Sequence, residues 1–123
     1  MLDNKIDQLD TFLLQKYKTR VFFSASAIQD YKSFSPGKRS DVLKMILKQA
    51  EKGAMLKPDG TGNRCEGKLH RFAKIKSKTL NLRIIYLPTQ GDVKIVDMGI
   101  IAIGPRDNLE VYKTAIKRIA ESK

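Results

Sequence analysis

Residues 67–112 read GKLHRFAKIKSKTLNLRIIYLPTQGDVKIVDMGIIAIGPRDNLEVY. Residues 68–76, 82–87 and 93–103 are rich in Ile, Val and Leu, and short polar connections separate them. This pattern predicts three strands of an antiparallel meander. Read with a two-residue period, Lys74 and Lys76 share one side of the first strand. Arg83 opens the second, close enough to join them across a hairpin. Arg106 and Tyr112 follow the third, where the final helix begins. Cations fixed on one sheet face beside an aromatic ring suit a phosphodiester and a stacked base.

Upstream the period changes. Leu2, Ile6, Leu9, Leu13 and Tyr17 recur at helical spacing, which predicts an amphipathic helix over 3–18. Arg20 to Ser24 reads as a short strand. Ser26 with Gln29 resembles a capping box that opens a second helix, ending near Phe34. Ser35-Pro36 is an N-cap and first-turn pair for a third helix. Val42, Leu43, Ile46, Leu47 and Ala50 form its buried stripe, and Gly53 is its stop. Residues 57–67 hold three Gly and a Pro and read as a loop. Downstream, Asp107 with Glu110 resembles another helix box, and Val111, Ala115 and Ile119 supply the last apolar face. The order is helix, strand, two helices, three strands, helix. An antiparallel sheet with helices packed on one side fits it, an α+β fold. Residues 1–123 read as one domain, with no internal repeat and no low-complexity tail.

The chain carries 24 Lys and Arg against 13 Asp and Glu, a net charge of +11. That excess suits a polyanionic partner. Residues 64–87 contain seven cations (Arg64, Lys68, Arg71, Lys74, Lys76, Lys78 and Arg83) and one acid, Glu66. Within this stretch Lys68, His70, Arg71 and Lys78 are the candidate RNA-binding residues around the paired lysines. A solvated basic face is the plainer reading of the same charge. No run reaches the roughly 18 apolar residues of a membrane span. The N-terminus lacks the basic start, apolar centre and small-residue cleavage site of a secretory signal. Cys65 is the single cysteine and forms no internal disulfide, which fits a reducing cytoplasm. One Cys and one His do not make an ordinary zinc site, so no metal is expected.

If RNA lies on the basic face, its 2′-hydroxyl can attack the adjacent phosphate when held in line. The reaction needs a proton acceptor, positive charge on the forming phosphorane, and help for the departing 5′-oxygen. Histidine is the usual acceptor, and His70 shares strand parity with Lys74. A lysine serves when its pKa is drawn down, and crowding among Lys74, Lys76, Arg83 and Arg106 acts in that direction. Arg83 and Arg106 can each hold phosphate oxygens with two parallel hydrogen bonds. Tyr112 can stack on a base, a contact worth roughly 1–3 kcal/mol. Each signal also has an ordinary reading. Paired strand lysines are usually solvent contacts, Arg83 can pair with Asp97, and Tyr112 shares helical spacing with Ile116. The joint placement carries the argument.

These residues resemble the RelE toxins of bacterial type II toxin–antitoxin modules, within the RelE/ParE superfamily. The resemblance spans about residues 20–121. It rests on Lys74-Ile75-Lys76, on Arg83-Ile84-Ile85-Tyr86, and on the run from Gly104-Pro105-Arg106-Asp107 through Val111-Tyr112 to Ala115-Ile116-Lys117-Arg118-Ile119. It implies a RelE-like twisted antiparallel sheet of about four strands, N-terminal helices on one face and a C-terminal helix. Residues 1–19 would be a helical extension. It implies a cytoplasmic ribonuclease without cofactor that cuts mRNA in the ribosomal A site, leaving a 2′,3′-cyclic phosphate and a 5′-hydroxyl. Carried over, Lys76 would be the general base with Lys74 supporting it. Arg83 would stabilise the transition state, Arg106 would act as acid or electrostatic support at the leaving oxygen, and Tyr112 would stack on a base.

The implied partner is a cognate acidic antitoxin that wraps the domain and displaces the last helix. No membrane partner is expected, and the oligomeric state is left open. Three features depart from the family pattern: the first helix, a longer connection from Tyr86 to Val93, and Pro105 at a position often basic in relatives. Two other functions stay open. One is a ParE-like inhibitor of DNA gyrase, which has no need of this residue set. The other is a non-catalytic RNA- or ribosome-binding module.

Overall fold

The computed structural model describes residues 4–91 and 94–121. Helix α1 (Asn4–Tyr17) leads into strand β1 (Thr19–Phe23), then helices α2 (Ala25–Ser33) and α3 (Pro36–Lys52). Strands β2 (Asn63–Arg64), β3 (Ala73–Ser77), β4 (Leu82–Gln90) and β5 (Val96–Pro105) follow, and helix α4 (Glu110–Glu121) closes the chain. Short 3₁₀ turns occupy Gly67–Leu69 and Asp107–Leu109. The strands form one five-stranded sheet in the order β1-β5-β4-β3-β2.

The expected meander of three strands is present: β3 pairs antiparallel with β4, and β4 with β5. Two additions enlarge the sheet beyond the three-strand meander. β1 lies parallel to β5, with Val21 opposite Met98. β2 contributes a two-residue pairing, Asn63 opposite Lys74 and Arg64 opposite Ala73. Strand β4 continues past the expected end at Leu87 to Gln90, so most of the long Tyr86–Val93 connection extends the strand. β3 begins at Ala73, opposite Tyr86, so Pro88 sits where β4 has one neighbour only, and proline is tolerated there. The remainder of that connection includes residues 92–93, outside the described residues.

The helix ends follow capping chemistry. Ser35 accepts from the Lys38 N–H at 3.3 Å, Pro36 starts α3, and Gly53 at φ 109° ends it. For α2 the cap is Ser24, two residues before the expected Ser26. The Ser24 hydroxyl accepts from the Ala27 N–H at 3.1 Å, while its own N–H donates to the Ile100 carbonyl at 3.0 Å. One residue thus ends a strand pairing and begins a helix, which a capping-box spacing does not reveal. The Asp107–Glu110 box is likewise replaced by a 3₁₀ turn without a side-chain cap.

Two cores sit on opposite faces of the sheet. On one, Ile6 and Leu13 of α1, Tyr31 of α2, and Val42 and Ile46 of α3 pack on Ile84, Tyr86, Met98 and Ile100. Each such aliphatic side chain contributes roughly 1.5–3 kcal/mol by leaving water. On the other face, Leu69 and Phe72 with Val111 and Ala115 of α4 cover Ile85 and Ala102. The helices therefore take both sides of the sheet: α1–α3 one, α4 the other. A bulge in β5 sets which of its residues face α4. Ile85 pairs with Ala102 but Tyr86 with Ile100, so Ile101 is the extra residue.

Carboxylates close one margin of the sheet. Asp10 of α1 accepts the Val21 N–H at 2.9 Å and pairs with Arg20 at 3.1 Å. Beyond the end of β1, Asp30 of α2 accepts the Ile103 N–H at 2.9 Å. Arg118 of α4 donates to both Asp30 oxygens, at 2.7 and 2.9 Å, and to the bulged Ile101 carbonyl at 2.8 Å. Helix α1 is thus integral to the fold, since Tyr17 also donates to Glu51 of α3 at 3.1 Å. No helix among the described residues is long and apolar enough to cross a membrane.

Candidate functional site

Strand period and register bring the lysine pair to Arg83. Lys76 is directly opposite Arg83, and Lys74 is opposite Ile85, on the face that carries α4. Directly opposed side chains in such a ladder have Cβ atoms about 5 Å apart, so like charges there repel. Tyr112, in the first turn of α4, drops its ring onto this pair. The Arg83 guanidinium carbon lies 4.6 Å from the ring centroid.

Together Lys74, Lys76, Arg83 and Tyr112 line a cleft of about 410 Å³. Its other walls are Glu66, Leu69, Leu109 and Ile116. Arg83 is only 6% exposed. One of its terminal nitrogens donates to the Arg106 carbonyl at 3.0 Å, and its Nε is buried without a partner. Among the described residues no carboxylate forms an ion pair with Lys74, Lys76, Arg83 or Arg106. A buried guanidinium held by a carbonyl and a ring, with no counter-anion, is poised for an anionic ligand.

Neutral groups complete the site. Burial pushes the Tyr112 phenol up, against the pull of Arg83 and Arg106, so the ring stays protonated in neutral solution. The Cys65 thiol, buried behind the cleft, is also raised by burial despite nearby Lys74 and Arg83. It is a packing group in the second core.

Arg106 stands beside the cleft and is not part of its lining. Its carbonyl positions Arg83, and its own charge reaches the Tyr112 phenol. Lys68, Arg71 and Lys78 are exposed and outside the lining, as is His70. The expected strand from residue 68 begins at Ala73 instead. His70 follows a 3₁₀ turn, with its Nδ1 3.2 Å from the Gly67 carbonyl, so the parity that placed it beside Lys74 does not apply. The alternative pairing of Arg83 with Asp97 is absent. Tyr112 combines both readings: it packs beside Ile116 in the second core and lines the cleft.

Sequence reasoning missed Glu66, Leu69, Leu109 and Ile116 as lining. Glu66 carried a signal, being the single acid among seven cations in its stretch. Leu109 carried none. It adopts φ 59°, a left-handed conformation costly for leucine, and is the last residue of the 3₁₀ turn, directly before α4, where it lines the cleft.

No protein-family model matches the chain, and no curated protein matches its sequence. Solved structures do. An arginine double mutant of E. coli toxin RelE in the free state superposes with a TM-score of 0.59 at 23% identity, over 80% of this chain and 95% of that one. The isolated E. coli RelE toxin gives 0.52 at 24% identity, over 80% and 96%. The double mutant in complex with a peptide of the antitoxin RelB gives 0.54 at 22% identity, over 80% and 94%. The chain therefore has the RelE toxin fold.

Proposed function

We propose that this chain is the toxin of a RelE-type toxin–antitoxin pair, and that its cleft cleaves mRNA held in the ribosomal A site. The carrying observation is the meeting of Lys74, Lys76, Arg83 and Tyr112 around one open cleft whose cations form no ion pair with a described carboxylate. Lys76, with Lys74 alongside, takes the proton of the 2′-hydroxyl. The resulting oxygen attacks the adjacent phosphorus. Arg83 stabilises the phosphorane charge, and the 5′-oxygen leaves with Arg106 as proton donor or electrostatic support. The products are a 2′,3′-cyclic phosphate and a 5′-hydroxyl. The Tyr112 ring, with Arg83 4.6 Å from its centroid, stacks against a base at the cleft. A site without a strong base gains from a substrate bent into line by the ribosome.

The fold resembles that of a toxin solved with an antitoxin peptide. By the same reading this chain has an acidic antitoxin, matched to its charge of +11, and works in the cytoplasm. Induction in growing cells with mapping of transcript ends tests the proposal. The expected result is codon-phased cuts in translated messages, absent with Arg83→Ala or Lys76→Ala, both of which relieve growth arrest. Uncut messages with supercoiling defects would overturn it in favour of gyrase inhibition.

A further inference from the structure

Lys74 and Lys76 stand on a wall shared by two hollows. One is the cleft under Tyr112; the other is a groove of about 810 Å³ between α3 and β3. Lys44, Lys48 and Lys52 of α3 line it, over a floor that includes Met45, Ile75 and Leu80. The three helix lysines recur every four residues, so they stand about 6 Å apart along one stripe. None forms an ion pair with a described residue, and Asp41 is the single acid in the lining. β2 covers only Ala73 and Lys74 of β3, so the margin over residues 75–77 is open. The cleft and the groove meet there.

We propose that this groove is a binding track for single-stranded RNA, continuous with the cleft. The strand whose scissile phosphate lies under Tyr112 passes over Lys74 and Lys76 and lays its phosphates along Lys44, Lys48 and Lys52. The inference rests on the RNA reading of the cleft. Two observations favour RNA over an acidic protein. The cations repeat at a regular interval, as suits a repeating anion, and the same two lysines serve both hollows. No aromatic ring lines the groove, so the track grips backbone and reads no base.

The test uses the full chain and two 2′-O-methylated RNAs, which cannot be cleaved: a trinucleotide and an oligomer of about twelve nucleotides. Fluorescence anisotropy is followed across a salt series. The wild type is expected to bind the oligomer at least tenfold more tightly, per trinucleotide register, than the trinucleotide. The triple variant Lys44→Gln/Lys48→Gln/Lys52→Gln is expected to lose that gain and leave trinucleotide binding unchanged. Its log-affinity against log-salt slope should be shallower by about 2, and that of Lys48→Gln alone by about 0.7. Equal binding of both RNAs by the wild type, or an unchanged slope in the variants, overturns the track. A variant that loses binding of poly-glutamate but keeps the oligomer gain makes the groove a protein-docking surface instead. Transcript cuts by the wild type report on the cleft separately. Cuts without a length gain sink the track alone; a length gain without cuts sinks the cleft chemistry alone.

Discussion

Two arginines divide the molecule into contrasting regions. Arg118 joins α4 to α2 with a bidentate grip on Asp30 and a third bond to the Ile101 carbonyl. Its guanidinium is raised above the ordinary arginine value, chiefly by the hydrogen bonds to Asp30. Arg83 is more deeply buried, yet no described carboxylate pairs with it, its Nε is unpartnered, and Lys76 lies across the ladder. Matched charge marks where the chain secures its architecture. On the proposed reading, unmatched charge marks where an outside anion supplies what the fold withholds.

The sharpest way to break this contrast is Arg83→Met, which removes the charge and keeps most of the stem volume. Cleavage of a translated message is expected to fall on the order of a hundredfold, about 3 kcal/mol of barrier. The thermal midpoint is expected to hold or rise, because an uncompensated buried charge has gone. A lowered midpoint together with full cleavage would make Arg83 another structural arginine. Asp30→Ala is the converse. It leaves Arg118 and the Ile103 N–H without their partner and should cost on the order of 3 kcal/mol in urea unfolding, with cleavage per folded molecule unchanged.

Alkaline unfolding sharpens the contrast further. Tyr86 donates to the Ala54 carbonyl at 2.7 Å under the α3 face, and burial raises its phenol strongly. Tyr112 and Cys65 are raised as well. All three hold their protons more tightly folded than unfolded. Their stabilisation is complete below the unfolded values of 10.0 for tyrosine and 9.0 for cysteine, and is lost as pH climbs above them. Tyr86→Phe should cost about 1 kcal/mol at neutral pH and flatten the alkaline fall, measured by urea midpoints between pH 8 and 11. The smallest effect on stability belongs to Lys76→Gln. Relief of its repulsion with Arg83 should add roughly 0.5 kcal/mol of stability. That gain should shrink in high salt, while cleavage is lost.

Much of this was legible from local pattern. A two-residue period placed Lys74 and Lys76 on one face, and a short connection placed Arg83 against them; the register confirms that meeting. Ser35 and Gly53 announced the ends of α3. What escaped depends on distant chain. Nothing local shows that β1 joins β5 in parallel, or that α4 takes the opposite face from α1–α3. The bulge at Ile101 sets which residues face α4, and it arises from pairing, not from composition. The roles of Asp10, Asp30 and Glu66 were hidden for the same reason: an acid's partner is assigned by the fold. Leu109 was hidden because its left-handed backbone runs against leucine's own preference.

The Asp10 and Asp30 carboxylates also have a bearing on how the chain behaves in a crowd of its copies. By occupying the Val21 and Ile103 amides, they remove two of the donors that this side would otherwise offer a foreign strand. Fibril growth by sheet extension requires both flanks to accept a new chain. With those two amides taken, run-on extension of the sheet through that flank is disfavoured as the protein's concentration rises.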